Sequence, residues 1–447
     1  MLKAVRGTRD LLPPDTDLWN RVEAKVRDVM ERYNFHEIRT PIFEDTQLFS
    51  RSVGEETDIV SKEMFTWEDR SRAIPAVPVL EVASGTRGRF SGQSLTLRPE
   101  NTAGVVRAYI EHRLGDKGTL QKLYYIGPQF RRERPQKGRY RQFYQIGAEI
   151  IGPPSAGSES PIHDAEILEM LATLLDEVGL RDWQLQLNSV GGADDRARYN
   201  QALREALKPL LHQMCADCQR RAETNPLRVL DCKVPKDQPI IEKLPKVSEY
   251  LGEASREHFA AVGAMLDTVG IPYTINERMV RGLDYYTRTT FEFTHGGLGA
   301  QSAVLGGGRY DGLSESLEGP KAPGIGFAIG EDRLILALQS QGETIVEKLR
   351  AYIAPLGSGM NPHALKLARE LRREGVSVDI GDEVFRLKRS FELAEKAGAR
   401  FIVIVGENEV AAGQFAVKNL ATAEQVQVQR AELAAYLKDS NPQPRKS

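Results

Sequence analysis

The chain has 447 residues, 41% hydrophobic and 27% charged, with a formal net charge of −2. That length exceeds one ordinary domain and predicts two or three, each able to bury a core. The near-neutral balance excludes a protein coated in basic charge, and no stretch approaches the ~20 apolar residues of a membrane span.

The opening MLKAVRGTRDLLPPD has no apolar run of the signal-peptide kind. Residues 15–33 carry Leu18, Val22, Val26, Val29 and Met30 at helical spacing and predict a helix. FHEIRTPIFED then reads as a strand whose Pro41 suits a strand end or sheet edge. Residues 71–94, rich in Ser, Gly and Pro, read as an extended loop or hairpin. SLTLRPENTAGVVRAYIEH predicts strand, turn and helix, and KLYYIGPQFRRERPQKGRYRQFYQIGAEIIG predicts strand, charged loop and strand. A periodic helix follows at 162–178, then the strand WQLQLNSVG.

Residues 194–270 turn charge-dense and helix-favouring, the pattern of a separate helical insertion. Cys215 and Cys218 form CADC there, with Cys232 downstream and His212 just before. Such spacing can hold zinc, but the second CxxC or HxxxH of a typical site is missing, so free cysteines are expected. Three cysteines make no disulfide framework and point to a reducing cytoplasm. Strand character returns at 272–293 and runs through a glycine-rich turn, LGGGRYDGL, to GIGFAIGEDRLILAL. After a linker at 340–349, AYIAPL, VSVDI and RFIVIVG alternate with helical segments, which predicts a small sheet covered by helices. The tail SNPQPRKS is expected to be disordered. No internal repeat is present.

Three stretches suggest chemistry. Residues 122–141 hold Lys122, Arg131, Arg132, Arg134, Lys137, Arg139 and Arg141 against one acid, Glu133. This is either an anion site suited to phosphates or a solvated hairpin tip. The returning strand puts Phe143, Gln145, Gly147 and Glu149 on one side, a floor for a polar ligand, and Tyr144, Ile146, Ala148 and Ile150 on the core side. VRGLDYYTRTTFEF at 280–293 reads as a strand with Arg281, Asp284 and two tyrosines in its first half, either a ligand wall or a charged edge. Arg333 stands in the first turn of a helix, where the dipole disfavours it, and calls for an anion or a neighbouring acid. LGGGRYDGL matches neither GxxxxGKS/T nor a helix-opening GxGxxG and reads locally as a tight turn.

Taken together these stretches resemble a known family. PIFED around Pro41, FRRERPQKGRYRQF and GIGFAIGEDRL resemble the three signature motifs of class II aminoacyl-tRNA synthetases. RGLDYYTRTTFEF and LGGGRYDGL resemble the two histidine-specific motifs of the histidyl-tRNA synthetases, and TLRPENTAG, RYRQFYQIGAE and NPLRVLDCK match as well. The resemblance implies an α/β (α+β) chain: a class II antiparallel-sheet catalytic domain at 1–193 and 271–340, a helical insertion at 194–270, an anticodon-binding α/β domain at 350–438, and a tail at 439–447. It also implies ATP-dependent activation of L-histidine to histidyl-adenylate, then transfer to the 3′ end of histidine tRNA.

Roles carry over residue by residue. By resemblance Arg131 grips the α-phosphate, Arg333 the far end of the triphosphate, and Arg281 sits beside the reacting centre. Phe143 would stack on adenine near Glu133, with Arg139 on phosphates or the tRNA acceptor end. Glu100, Thr102 and Gln145 would hold the α-ammonium, with Asn101 lining the loop through its backbone. Glu149, Tyr285 and Tyr286 would surround the imidazole, whose two nitrogens a carboxylate and a phenol can satisfy. Mg2+ is expected with ATP, and no protein metal ligand is assigned. The insertion would touch the acceptor arm, the loop at 132–139 would meet the tRNA end with its additional 5′ guanosine, and the first motif implies a homodimer. Segment 71–94 is longer than the family's usual hairpin. The alternative is a synthetase-like regulatory subunit of ATP phosphoribosyltransferase; intact Arg281 and the domain at 350–438 argue against it, and RGLDYY argues against prolyl or threonyl enzymes.

Overall fold

The computed structural model describes residues 2–54, 57–69, 93–136, 138–299, 302–342 and 349–439. Two compact units divide the chain, Met1–Thr344 and Ile345–Ser447. The expectations for most of 71–94, for 343–348 of the linker and for the tail from 440 fall outside the described residues.

In the first unit the helix Asp15–Arg32 buries Leu18, Trp19, Val22, Val26, Val29 and Met30 along one stripe, with acids in its first turn and Arg32 in its last. The strands, in chain order, are β1 (His36–Glu37), β2 (Phe43–Asp45), β3 (Phe65–Asp69), β4 (Gln93–Leu97), β5 (Gln121–Phe130), β6 (Gln142–Ile151), β7 (Trp183–Ser189), β8 (Tyr273–Ile275), β9 (Thr287–His295), β10 (Ala303–Arg309) and β11 (Gly324–Gly330). Among the described residues eight of them form one sheet, ordered β1-β5-β6-β11-β10-β9-β7-β8. It is antiparallel through its centre, and only the edge pairs β1–β5 and β7–β8 are parallel. A second, antiparallel sheet runs β2-β4-β3.

FHEIRTPIFED is therefore two short strands in different sheets rather than one, with Pro41 in the gap, because proline cannot donate to a ladder. One face of the large sheet is aliphatic and aromatic: Leu185, Leu187, Phe291, Phe293, Leu305, Ile325, Phe327, Ile329, Ile146, Ala148 and Ile150 are all buried. Burial of each large side chain contributes roughly 1.5–3 kcal/mol. Helices Pro161–Glu177, Glu253–Val269 and Glu331–Ser340 pack against these strands. The first begins at a Ser160 cap with Pro161 at its first position. Between β7 and β8 the chain is helical: Ala193–Leu207, Ala216–Thr224, the one-turn Gln238–Ile241 and Glu253–Val269, joined by short 3-10 turns.

The second unit has β12 (Ala351–Pro355), β13 (Val378–Ile380), β14 (Phe401–Val405), β15 (Gln414–Asn419) and β16 (Gln425–Gln429), ordered β13-β12-β14-β15-β16. The first three are parallel and the last two join antiparallel. Helix Asn361–Arg373 sets Ala364, Leu367, Ala368 and Leu371 against Ile353, Phe401 and Val403. No described helix is long and apolar enough to cross a membrane.

Candidate active site

Directly paired residues of antiparallel strands point to the same side, so register defines the second face of the large sheet. Gln129 pairs with Phe143, Gly127 with Gln145, Tyr125 with Gly147. Gly326 pairs with Glu149 and Gly308, and Gly306 pairs with Ala328 and Glu292. This face is made of amides, carboxylates, phenols and glycines. The glycines make room. A Cβ at Gly306 would overlap the Arg281 guanidinium, one at Gly326 the Glu149 carboxyl, and one at Gly147 the Tyr125 hydroxyl. At Gly308 it would lie 2.9 Å from Tyr286. LGGGRYDGL is thus a strand end followed by a tight turn: Tyr310–Leu313 form the turn, while Gly306 and Gly308 lie inside β10 and leave room for side chains to lie flat on the sheet.

Toward β6 this face carries an enclosed acidic pocket. Glu149, fully buried, accepts a hydrogen bond from Thr102 Oγ1 at 2.7 Å through Oε1. Burial pushes its carboxyl up to about 8, against the lowering effect of Thr102. Glu100 caps the helix Thr102–Glu111, accepting from the amides of Thr102 at 2.8 Å and Ala103 at 3.0 Å. Burial raises Glu100 as well, opposed by those amides. The rings of Tyr285 and Tyr286 lie 4.8 Å apart, and Tyr310 meets Tyr285 edge-on at 6.0 Å. Tyr310 Oη feels the Glu149 charge, but its geometry makes no hydrogen bond. Among the described residues Glu149 Oε2, Gln145 Oε1, Tyr125 Oη and both amide atoms of Gln129 are buried with no partner. Five unpaired polar atoms on one sheet face are the signature of a site that a polar ligand completes.

Beside this pocket the cations gather around two carboxylates. Glu133 lies 2.9 Å from Arg139 and 3.9 Å from Arg131. The Arg131 guanidinium stands 5.2 Å from the centre of the Phe143 ring and donates to the Pro99 carbonyl at 2.8 Å. Glu292 receives Arg281 at 2.5 Å. Arg333 donates to the Ala303 carbonyl at 2.7 Å. Burial and the adjacent Arg139 charge push the Arg333 guanidinium down, while Glu292 and Glu133 pull it up. Arg131, Arg139, Arg281 and Arg333 therefore converge on one cleft.

Other basic residues of the 122–141 group lie elsewhere. Lys122 pairs with Glu166, Arg132 covers Phe65 and Arg141 reaches the Arg6 carbonyl; Lys137 is outside the described residues. Asn101 spends its side-chain oxygen on Thr40 at 2.6 Å and Arg98 at 3.2 Å, turning away from the pocket.

Arg281, Tyr285 and Tyr286 do not sit on a strand. β9 starts only at Thr287, and 280–286 is a loop. Gly282 and the Asp284 turn break the strand pattern that the Thr- and Phe-rich second half suggests. Three polar side chains hold the loop. Arg196 donates to the carbonyls of Asp284 at 3.0 Å and Tyr286 at 2.8 Å, Arg228 to Gly282 at 2.6 Å, and Asn225 to the Asp284 carboxylate at 2.9 Å.

Sequence reading missed Tyr125, Gln129, Glu292 and Tyr310. The first two carried a signal: β5 alternates Tyr125, Gly127, Gln129 in phase with Gln145, Gly147 and Glu149. Glu292 and Tyr310 become visible only through register and packing.

The histidyl-tRNA synthetase family model matches residues 87–334, and an anticodon binding domain model matches residues 350–440. A relative from Koribacter versatilis (strain Ellin345), named histidine–tRNA ligase, is 71% identical over 439 residues, covering 98% of this chain and 96% of its own. One of the same name from Solibacter usitatus (strain Ellin6076) is 58% identical over 438 residues, covering 98% and 99%. Apo histidyl-tRNA synthetase of S. aureus superposes with a TM-score of 0.77 at 37% identity, covering 98% of this chain and 100% of that one.

Proposed function

The chain belongs to the histidyl-tRNA synthetase family and joins histidine to its tRNA in an ATP-dependent ligation; we propose that the chemistry runs in the cleft described above, with the following roles. The observation that carries this reading is the convergence of Arg131, Arg139, Arg281 and Arg333 beside a buried carboxylate pocket on the same sheet face.

In the first step a histidine carboxylate oxygen attacks the α-phosphorus of ATP. A new P–O bond forms, the bond to the β-phosphate bridge breaks, and pyrophosphate leaves with the electron pair. Two anions must meet, so fixed positive charge lowers the barrier. Arg131 holds the α-phosphate, Arg281 neutralises the reacting carboxylate and phosphate, and Arg333 with Arg139 takes the far phosphates. ATP arrives as its magnesium complex, the ion carried by phosphate oxygens. Phe143 supports the adenine, with Glu133 orienting Arg131 and Arg139. In the second step a hydroxyl of the terminal tRNA ribose attacks the acyl carbon, and AMP leaves.

Glu149 receives an imidazole N–H, and Tyr285 and Tyr286 close the pocket. Glu100, Thr102 and Gln145 surround the α-ammonium. An apolar side chain would leave Glu149 Oε2 and Gln145 Oε1 buried and unpaired, which discriminates strongly against it. The second unit would take the anticodon stem, in line with its domain match. A homodimer is supported by exposed Phe43 and Trp67, whose rings lie 6.0 Å apart on the β2-β4-β3 sheet, and by exposed Ile42 just before β2. Three free thiols support a reducing, cytoplasmic location.

The regulatory-subunit alternative is less supported: full-length relatives at 71% and 58% identity carry the ligase name. ATP–pyrophosphate exchange with each amino acid in turn tests the reading. Exchange stimulated by histidine alone is expected; none with histidine would overturn it.

A further inference from the structure

The helical segment between β7 and β8 contains a group that the ligation chemistry does not use. Cys215 and Cys218 flank the start of helix Ala216–Thr224, Cys232 follows the turn after it, and Asp237 comes five residues later. One ligand atom from each of the four lies within 4.8 Å of all the others. We propose that Cys215, Cys218, Cys232 and Asp237 bind a structural zinc ion.

The distances suit this ion. The Cys215 and Cys232 sulfurs are 3.9 Å apart, and Cys232 Sγ is 3.3 Å from Asp237 Oδ2. A tetrahedron with Zn–S near 2.3 Å and Zn–O near 2.0 Å has sulfur–sulfur edges of about 3.8 Å and sulfur–oxygen edges of about 3.5 Å. All three thiols are free, and 3.9 Å is far beyond a disulfide bond. The surroundings also suit thiolates. The Cys218 amide donates to Cys215 Sγ at 3.4 Å and the Val234 amide to Cys232 Sγ at 3.4 Å. The Cys215 amide orients the Asp237 carboxylate at 3.1 and 3.2 Å. Asp237 is fully buried, and its hydrogen-bond partners are the Cys215 amide and Cys232 Sγ. A cation held with the three sulfurs would offset the rest of the carboxylate's desolvation. The missing second half of the zinc pattern is thus an aspartate, a ligand type outside the CxxC and HxxxH forms.

The ion would act as a staple. From 211 to 250 the described chain is one nine-residue helix, one single-turn helix and 3-10 turns around a small core. Closing the loop between residues 215 and 237 offsets what so little buried surface leaves undone. Asn225 and Arg228, which grip the loop carrying Arg281, lie inside this loop. On the ligase reading, metal loss would therefore slow adenylate formation as well as loosen the fold.

Metal content of the full chain, purified without chelator from zinc-supplemented culture, tests the site independently of activity. Close to one zinc per chain is expected, lost in Cys215→Ser. Exchange for Co2+ should give visible d–d bands and near-ultraviolet thiolate-to-cobalt absorption. Should Cys215→Ser fail to fold, the cobalt spectrum of the unaltered chain decides. A chain without zinc whose three thiols react freely with a thiol reagent, or a Cys215–Cys232 disulfide, would overturn the proposal.

Discussion

Gly326 on β11 stands directly across from Glu149 on β6, and the space a Cβ would need at 326 is occupied by the Glu149 carboxyl. The glycine is therefore part of the pocket: it lets a buried carboxylate lie along the sheet with one oxygen unpaired among the described residues. Gly306 does the same for Arg281 one strand further on. Substituting Gly326→Ala should displace Glu149 and reduce histidine-dependent pyrophosphate exchange about 100-fold, chiefly through KM for histidine. Steady-state exchange kinetics check this; unchanged KM would contradict it.

The Glu149 carboxyl, held at about 8 by burial, is protonated in the free protein at neutral pH. The ionised carboxylate is the stronger acceptor for an imidazole N–H. The value of kcat/KM for histidine should thus rise with pH and level off above about 8. In Glu149→Gln that part of the profile should vanish while the titration of histidine itself remains. Superimposable profiles would contradict the assignment.

Arg228 donates to the Gly282 carbonyl and approaches the Asp284 carboxylate at 3.9 Å, so it holds the loop that carries Arg281. Arg228→Ala should lower kcat of exchange roughly 10- to 100-fold, in the range that misplacing a supported group costs. KM for ATP should change little. A fall in KM-limited binding alone, with kcat intact, would argue against a positioning role.

Glu331 is buried at the start of its helix with both carboxylate oxygens unpaired among the described residues. Burial, with Glu23 and Asp332 nearby, pushes it up to about 9. The unfolded chain loses this proton near 4.5, the ordinary value, and the native chain only near 9. Stability should therefore decline as pH rises between those values. Glu331→Leu should raise stability by about 1–3 kcal/mol at pH near 8 and by less near pH 5. Thermal melts at both pH values check it; an equal effect at both would contradict the sign.

Much of the architecture could be read from periodicity. The stripe Leu18, Val22, Val26, Val29 follows the helix period, and the two faces of β6 follow the strand period, so both appear in the structure at nearly the expected bounds. What the sequence hid depends on tertiary register. LGGGR looks like a turn because glycine is a turn former, yet it is a strand whose missing side chains are needed by Arg281 and Tyr286 from another segment. Residues 280–286 look like a strand because Tyr and Val favour strands, yet Arg196, Asn225 and Arg228 hold them as a loop. Lys122 and Arg131 look like one basic cluster in sequence, but they lie near opposite ends of β5, where Lys122 finds Glu166.

We propose that separate guanidinium groups converge on one nucleotide, with Arg281 beside the reacting carboxylate and α-phosphate. Histidine-dependent ATP–pyrophosphate exchange by Arg281→Ala, alongside its thermal melt, tests this most directly. A loss of about 1,000-fold or more with a melt close to that of the unaltered chain is predicted. Near-normal exchange in a folded variant would contradict it.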